Sequence, residues 1–506
     1  MPDDASITPG RPLDQPDPND ARPWRTQLEN TQRRTPDMAR ELTEDERALA
    51  EDMVARARVA QKQIEDWSQA QLDRLSQAIA WHAGNEKTFT RLAQQGVDES
   101  GIGDRAGRPA KRFKIHMVLR DVLRTPSTGI VEVDEARGLV KYAKPAGVIA
   151  SLIPMTNPAM TPPVTGVSSA NARNAVIFSP HPRTAQTTWE MTEVMRNACR
   201  VAGAPEDLFQ AIRQPSIPLT QYLMQICDLT LATGGKPMVQ AAYSSGKPAY
   251  GVGAGNSSIV IDETADIDIA AQNTRISKTS DFGSGCSADG NIIIQRSIYD
   301  QMVAALEAEG GYLCSAEEKA LLEKAMWDEK GNRTFPTIAC RPQQTADVAG
   351  FSIPEDRKFL MVENQGQIGP EHKFSKEKLT TLMALYHFET FDDALETVSQ
   401  IYAVGGTGHS CGIYSHNDEN IDRLARLAPV SRMMVRQPQS KANAGAWTNG
   451  MPMTSSLGCG IWGGNITNEN VTMKHMMNYT WVSRPIAEDR PSEEELFGEF
   501  FGQEVA

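Results

Sequence analysis

The chain has 506 residues, 40% of them hydrophobic and 23% charged, with a formal net charge of −13. That length divides into roughly two to four domains or subdomains, and the acidic balance excludes a nucleic-acid backbone as main partner, though not an anionic small molecule in a local basic pocket. Seven cysteines without regular spacing make neither a disulfide framework nor a zinc set, so no metal is expected.

Residues 1–38, opening MPDDASITPGRPLDQPDPND, are rich in Pro, Asp and Arg without periodicity. They read as a flexible arm, not as a signal or transit peptide. No apolar run reaches membrane-spanning length, AGVIASLIPM being too short. The Asn-x-Ser/Thr triplets at Asn256, Asn465, Asn470 and Asn478 carry no weight without a secretion signal. The cytoplasm is the expected compartment, with no membrane partner.

Helices begin after the arm. Thr43 with Glu46, and Ser68 with Gln71, form capping boxes, and Leu72, Leu75 and Ile79 then share one helical face. The middle changes character. LVKYAKPAGVIASLIP and NAVIFSP are apolar, β-branched runs ended by proline, as buried strands are. TAQTTWEMTEVMRNACRVAG follows as a helix, and LTLATGG and SSIVID add strands. After Cys286 the pattern repeats with NIIIQ, SIYDQMVAALEAEG and SAEEKALLEKAMW. Such alternation predicts α/β architecture with largely parallel sheets and helices on both faces.

Two glycine clusters invite a dinucleotide reading. GVGAGN at 251–256 places Asn256 where the third fingerprint glycine belongs and runs into a strand, so it reads as a turn. LATGGKPMVQAAYSS has the right order: strand, Gly234–Gly235, then a helix from about Pro237, a properly placed phosphate-facing site. TSDFGSGCSADGN sets Cys286 among small residues that leave a thiol approachable and backbone N–H groups free to donate. Cys199, Cys227 and Cys314 lie in helical patterns and Cys340 ends an apolar run, while Cys411 and Cys459, in glycine-rich loops, are rivals. His181 and His409 sit in loops after strands. Asn157, in IPMTNPAM, is either a turn residue or an amide aimed into a site.

Six stretches in this order, IPMTNPAMTP, NAVIFSPHPR, LATGGKPMVQAAYSSGKPAYGVGAGN, SKTSDFGSGCSADG, GGTGHSCGIYS and SSLGCGIWGGN, resemble the aldehyde dehydrogenase superfamily, more closely its CoA-acylating branch. The resemblance spans about residues 40–485. It implies that fold: a Rossmann-like cofactor domain, an α/β catalytic domain and a small β oligomerisation element. Cys286 then falls at the nucleophile, and Asn157 with the Cys286 N–H at the oxyanion hole. His409 falls at an acid/base or CoA-positioning group. Ser179, His181, Arg183, Thr233, Gly234, Gly235, Gly253 and Glu377 fall at cofactor contacts. Gly251 stands where hydrolytic relatives carry a water-activating glutamate, which implies transfer of the acyl group to coenzyme A.

The resemblance puts Arg213, where acetaldehyde-using relatives carry acidic residues, near the adenosine ribose, which leans the cofactor towards NADP, with NAD open. Arg432, Arg436 and Lys441 form a cationic cluster suited to an anionic aldehyde or to CoA phosphates. That segment resembles acylating sulfoacetaldehyde dehydrogenases, so sulfoacetaldehyde is the preferred substrate, with acetaldehyde next. The expected organisation is a cofactor domain at 39–258 with an oligomerisation hairpin at about 128–146. A catalytic domain at 259–440, a returning segment at 441–470, an oligomerisation strand at 471–486 and a tail at 487–506 follow. A homodimer or homotetramer is expected.

Overall fold

The computed structural model describes residues 40–504; the arm expected at 1–38 lies outside the described residues. Both capping boxes close. The Thr43 hydroxyl accepts from the Glu46 N–H at 3.2 Å while the Glu46 carboxylate accepts from the Thr43 N–H at 3.1 Å. Ser68 and Gln71 do the same. They start the helices Glu44–Gln63 and Gln69–Gly84, and Leu72, Leu75 and Ile79 are fully buried on the second.

A hairpin follows, β1 (Gly129–Asp134) antiparallel to β2 (Leu139–Pro145). Contrary to the single run expected, LVKYAKPAGVIASLIP breaks at residues 145–147 and its second half is β3 (Val148–Ile153), in another sheet. Gly147 makes the break at φ 121, where a Cβ would lie 2.3 Å from the Asp228 carboxylate. That same carboxylate accepts from the Val148 N–H at 2.8 Å.

With β3 pair β4 (Ala175–Pro180), β5 (Phe209–Ala211), β6 (Leu229–Thr233) and β7 (Ala249–Val252), in the order β5-β4-β3-β6-β7, all parallel. The winding reverses between β3 and β6, so the loops after those strands flank a crevice at their C-terminal ends.

The third sheet is again parallel. Its strands are β8 (Ser258–Ile261), β9 (Asn291–Gln295), β10 (Gly311–Leu313), β11 (Phe359–Glu363), β12 (Leu382–Phe388), β13 (Cys411–Tyr414) and β14 (Met433–Val435). The order is β10-β11-β12-β9-β8-β13-β14. Successive residues feed opposite faces: Val260 and Ile293 join one apolar cluster, Ile259, Ile261, Ile292 and Ile294 the other. Both faces are therefore helix-covered, which is why these strands read as unbroken apolar runs. Finally β15 (Met477–Ser483) adds antiparallel to β2. Ile130, Val133, Trp481 and Val482 of this small sheet are exposed. No described helix is long and apolar enough to cross a membrane.

Candidate active site

Three loops that lead into β8, β9 and β13 meet at the N-terminal edge of the third sheet: residues 253–257, 279–290 and 405–410. They bring together groups far apart in sequence. His409 Nε2 lies 3.0 Å from Cys286 Sγ, and His409 Nδ1 lies 2.9 Å from the Ser410 hydroxyl. Ser410 and Ser257 hydroxyls are 3.2 Å apart, and Ser257 donates to the Cys286 carbonyl at 3.4 Å. A consistent chain results: the thiol donates to Nε2, Nδ1–H to Ser410, Ser410 to Ser257. His409 is fully buried. Burial, with the Arg432 charge, holds its imidazole neutral, with a pKa lowered to about 3. Burial, then the nearby Glu377 and Cys459, pushes the Cys286 thiol up to about 12. Cys286 is the one cysteine of the seven that is not fully buried, so the rivals Cys411 and Cys459 are enclosed. Cys314, expected in a helix, instead precedes one, between β10 and the N-cap Ser315.

Glycine clears the approach. A Cβ at Gly255 would stand 2.0 Å from the Cys286 carbonyl oxygen. The Gly255 N–H donates to Glu377 at 3.2 Å, and Glu377 lines a cavity of about 10 Å³ with Cys286, room for one water at most. Burial raises the Glu377 carboxyl to about 7. Asn256, in the place of a fingerprint glycine, donates to the Ser375 carbonyl at 2.8 Å and so ties two loops.

The turn before Cys286 is strained. Asp281 and Phe282 have φ of 49 and 51, followed by Gly283 at 69. The Asp281 carboxylate holds it: Arg108 donates twice at 3.0 Å, Lys111 and the Ser284 hydroxyl at 2.6 Å, and the Asp104 N–H at 2.8 Å. Lys111 also donates to Asn157 Oδ1 at 2.6 Å. With its oxygen engaged, the Asn157 amide offers its NH₂ as donor. Sequence reasoning missed Arg108, Lys111, Asp281, Ser257 and Ser410. The one signal was the basic run RPAKRFK at 108–114.

The other edge of the crevice is the C-terminal end of the second sheet. Thr233, Gly234 and Gly235 follow β6, and Gly235 caps the helix Lys236–Tyr243 without a side chain on its first amides. A Cβ at Gly235 would meet nothing closer than Pro237 at 3.8 Å, so these residues fit a dinucleotide pyrophosphate. Ser179 near the end of β4 and His181 just after it lie across β3 from that turn, Ser179 sharing a 2.7 Å hydrogen bond with Thr220. Arg183 lies over the Phe335 ring at 3.9 Å. Gly253 lies 4.0 Å (as a Cβ) from Cys459 Sγ.

The fold sets the cationic candidates apart, and the roles expected of Arg432 and Arg436 need correction. Arg213 stacks on Trp189 at 4.1 Å after β5, three strands from β6, roughly 14 Å at ordinary strand spacing. It stands past the end of β5, apart from the Gly234–Gly235 turn. Arg432, 5% exposed, is spent on the carbonyls of His409, Gly458 and Asn468. Arg436 donates to the Ser415 carbonyl past the far end of β13. A parallel strand carries its two ends to opposite sheet edges, so β14 separates Arg432, at the Cys286 edge, from Arg436. Lys441 reaches the Ser280 hydroxyl at 2.7 Å, beside Asp281.

The profile described as "Aldehyde dehydrogenase family" matches residues 22–313. A sulfoacetaldehyde dehydrogenase of Acholeplasma sp. is 42% identical over 88% of this chain and 93% of its own. An acylating sulfoacetaldehyde dehydrogenase of Bilophila wadsworthia is 39% identical over 88% and 97%. The crystal structure of an acetylating aldehyde dehydrogenase from Geobacillus thermoglucosidasius superposes with a TM-score of 0.85 at 34% identity, covering 88% of this chain and 99% of that one.

Proposed function

Because the chain belongs to the aldehyde dehydrogenase family, we propose that it is a CoA-acylating member: it oxidises a short anionic aldehyde, sulfoacetaldehyde by preference, with NAD or NADP, and passes the acyl group to coenzyme A. The carrying observation is the 3.0 Å contact between Cys286 Sγ and His409 Nε2. Two thiols must be deprotonated in turn in this chemistry, and one imidazole in reach of the sulfur serves both.

His409 Nε2 takes the Cys286 proton as the sulfur adds to the aldehyde carbonyl. Asn157 Nδ2 and the Cys286 N–H donate to the oxyanion; each such donor is worth about 100- to 1000-fold in rate. A nicotinamide dinucleotide, when bound, would supply the acceptor for the departing hydride, with Thr233, Gly234 and Gly235 holding its pyrophosphate, Ser179 and His181 at the end of β4 towards its adenosine half, and Glu377 towards the nicotinamide ribose. Loss of hydride leaves an acyl thioester on Cys286. His409, having passed its proton on, takes that of CoA, whose sulfur displaces Cys286. Aldehyde, CoA and oxidised dinucleotide thus become acyl-CoA, reduced dinucleotide and one proton.

Gly251 supports thiol over water as acceptor. A Cβ there would lie 2.6 Å from Val239 and 2.9 Å from the Tyr243 ring, and the Tyr243 hydroxyl bonds both the Gly251 N–H and its carbonyl. Gly251→Glu is therefore expected to lower the thermal midpoint and to release no free acid, measured by calorimetry and product analysis. The exposed apolar residues of β1 and β15 suit pairing between copies, as a homodimer or homotetramer, and a cytoplasmic location accords with seven free thiols.

The test is turnover with NAD and NADP, with and without CoA, on acetaldehyde, propionaldehyde, succinate semialdehyde and sulfoacetaldehyde. Reduced dinucleotide should form only with CoA, and best with sulfoacetaldehyde. Free acid at full rate without CoA would replace this reading with hydrolysis, Glu377 being the base already poised near neutrality.

A further inference from the structure

On the Asn157 side of the site, cations outnumber the carboxylates free to offset them. Arg108 and Lys111 share Asp281. Lys441 holds only a neutral partner, the Ser280 hydroxyl at 2.7 Å, and Lys114 only two carbonyls, Ala444 at 2.9 Å and Gly445 at 3.0 Å. The carboxylate nearest Lys114, Asp121, is already engaged by Arg120 at 2.6 Å and by the Met453 N–H at 2.8 Å. Positive charge in partly desolvated surroundings is costly unless an anion offsets it. The surplus is felt: burial and then the Lys441 charge lower Lys114 to about 8, and burial lowers Lys111, with Arg108 and Lys441 adding to the effect.

We propose that Lys114 and Lys441, on the helix Arg112–Leu123 and the segment facing it, form the pocket for the anionic tail of the aldehyde, and that they, not Arg432 or Arg436, set its charge preference. The placement suits a two-carbon substrate. Lys111 bonds Asn157 directly, Lys114 follows three residues on along the same helical stretch, and Lys441 bonds Ser280 next to Asp281, which Lys111 also holds. An acetaldehyde-like end at Cys286 then leaves a sulfonate or carboxylate at the lysines. Lys114 is tied by Ala444 and Gly445 to the stretch that follows Lys441 in the chain, so the two ammonium groups belong to one packed unit. This inference rests on the anionic-aldehyde reading above, and the experiment separates the two.

Ethanesulfonate, which has the tail without the aldehyde, is assayed as an inhibitor of CoA-dependent acetaldehyde oxidation by the full-length enzyme. It should compete with acetaldehyde, and its inhibition constant should rise about 10- to 100-fold in Lys114→Gln and in Lys441→Gln, as expected for losing one charged hydrogen-bond partner. The ratio of kcat/KM for sulfoacetaldehyde over acetaldehyde should fall by a similar factor, chiefly through KM, and Lys441→Arg should restore it. Lys441 is exposed, so its variants stay informative if Lys114→Gln folds poorly. No competition in the wild type, or equal inhibition of all variants, overturns the proposal. Competition that the variants relieve, in an enzyme that does not oxidise sulfoacetaldehyde, sinks the substrate reading and leaves the anion pocket standing.

Discussion

Cys286→Ala is expected to abolish dinucleotide reduction, and His409→Ala to lower kcat/KM about 100- to 10,000-fold, both without loss of the fold. Cys286 carries the bond that the aldehyde forms, whereas His409 only moves protons to and from it, so the histidine variant keeps a residual rate. That residual rate should rise with pH as hydroxide replaces the missing base. The wild type has its own pH signature. With the thiol pushed up to about 12, the thiolate is scarce at neutral pH and grows tenfold per pH unit until the pKa is passed. Labelling of the free enzyme by iodoacetamide should therefore climb steadily between pH 7 and 10, with no plateau near the ordinary thiol value of about 8.5. Mass spectrometry should find the label on Cys286, the other six cysteines being buried. Normal turnover by Cys286→Ala would falsify the nucleophile assignment outright.

Asp281→Ala is expected to destabilise the enzyme by about 3–5 kcal/mol, because it strands Arg108 in the interior beside Lys111. The loss should appear as a lower denaturant midpoint. It should also slow turnover beyond what unfolding explains, since the same carboxylate holds the left-handed turn before Cys286 and the lysine that orients Asn157. Burial alone would raise the Asp281 carboxyl, but the charges of Lys111 and Arg108 outweigh it and bring the pKa down to about 2. A carboxyl with a depressed folded-state pKa contributes stability that is present above its unfolded value near 4 and is lost as pH falls towards 2. Acid unfolding of the wild type should steepen in that window, and Asp281→Ala should lack that part of the transition. A variant with wild-type stability and rate would remove Asp281 from both roles.

Much of the fold was legible because its signals are local. The capping boxes at Thr43 and Ser68 depend on residues three apart, and the buried strands on runs of four to seven. One local reading failed at Pro145–Gly147, where the break depends on Asp228, a residue some eighty positions away. Candidate residues were legible in the same way and with the same limit. Cys286, Asn157 and His409 stood out by their glycine-rich or proline-rich neighbours and by a resemblance in motif order, Glu377 by the resemblance alone.

The sequence by itself determined the two parallel sheets, the approachable thiol and the missing acid at Gly251, since each is a property of a short stretch or of stretches in order. Only the tertiary structure decided which charges face the substrate. Arg432 and Arg436 are four residues apart yet reach opposite edges of one sheet, because a parallel strand runs between them. Lys111 and Asp281 are 170 residues apart yet share a proton contact, because the crevice between two sheets folds distant loops onto one point. Charge in a chain is a list; charge in a site depends on which strand ends meet.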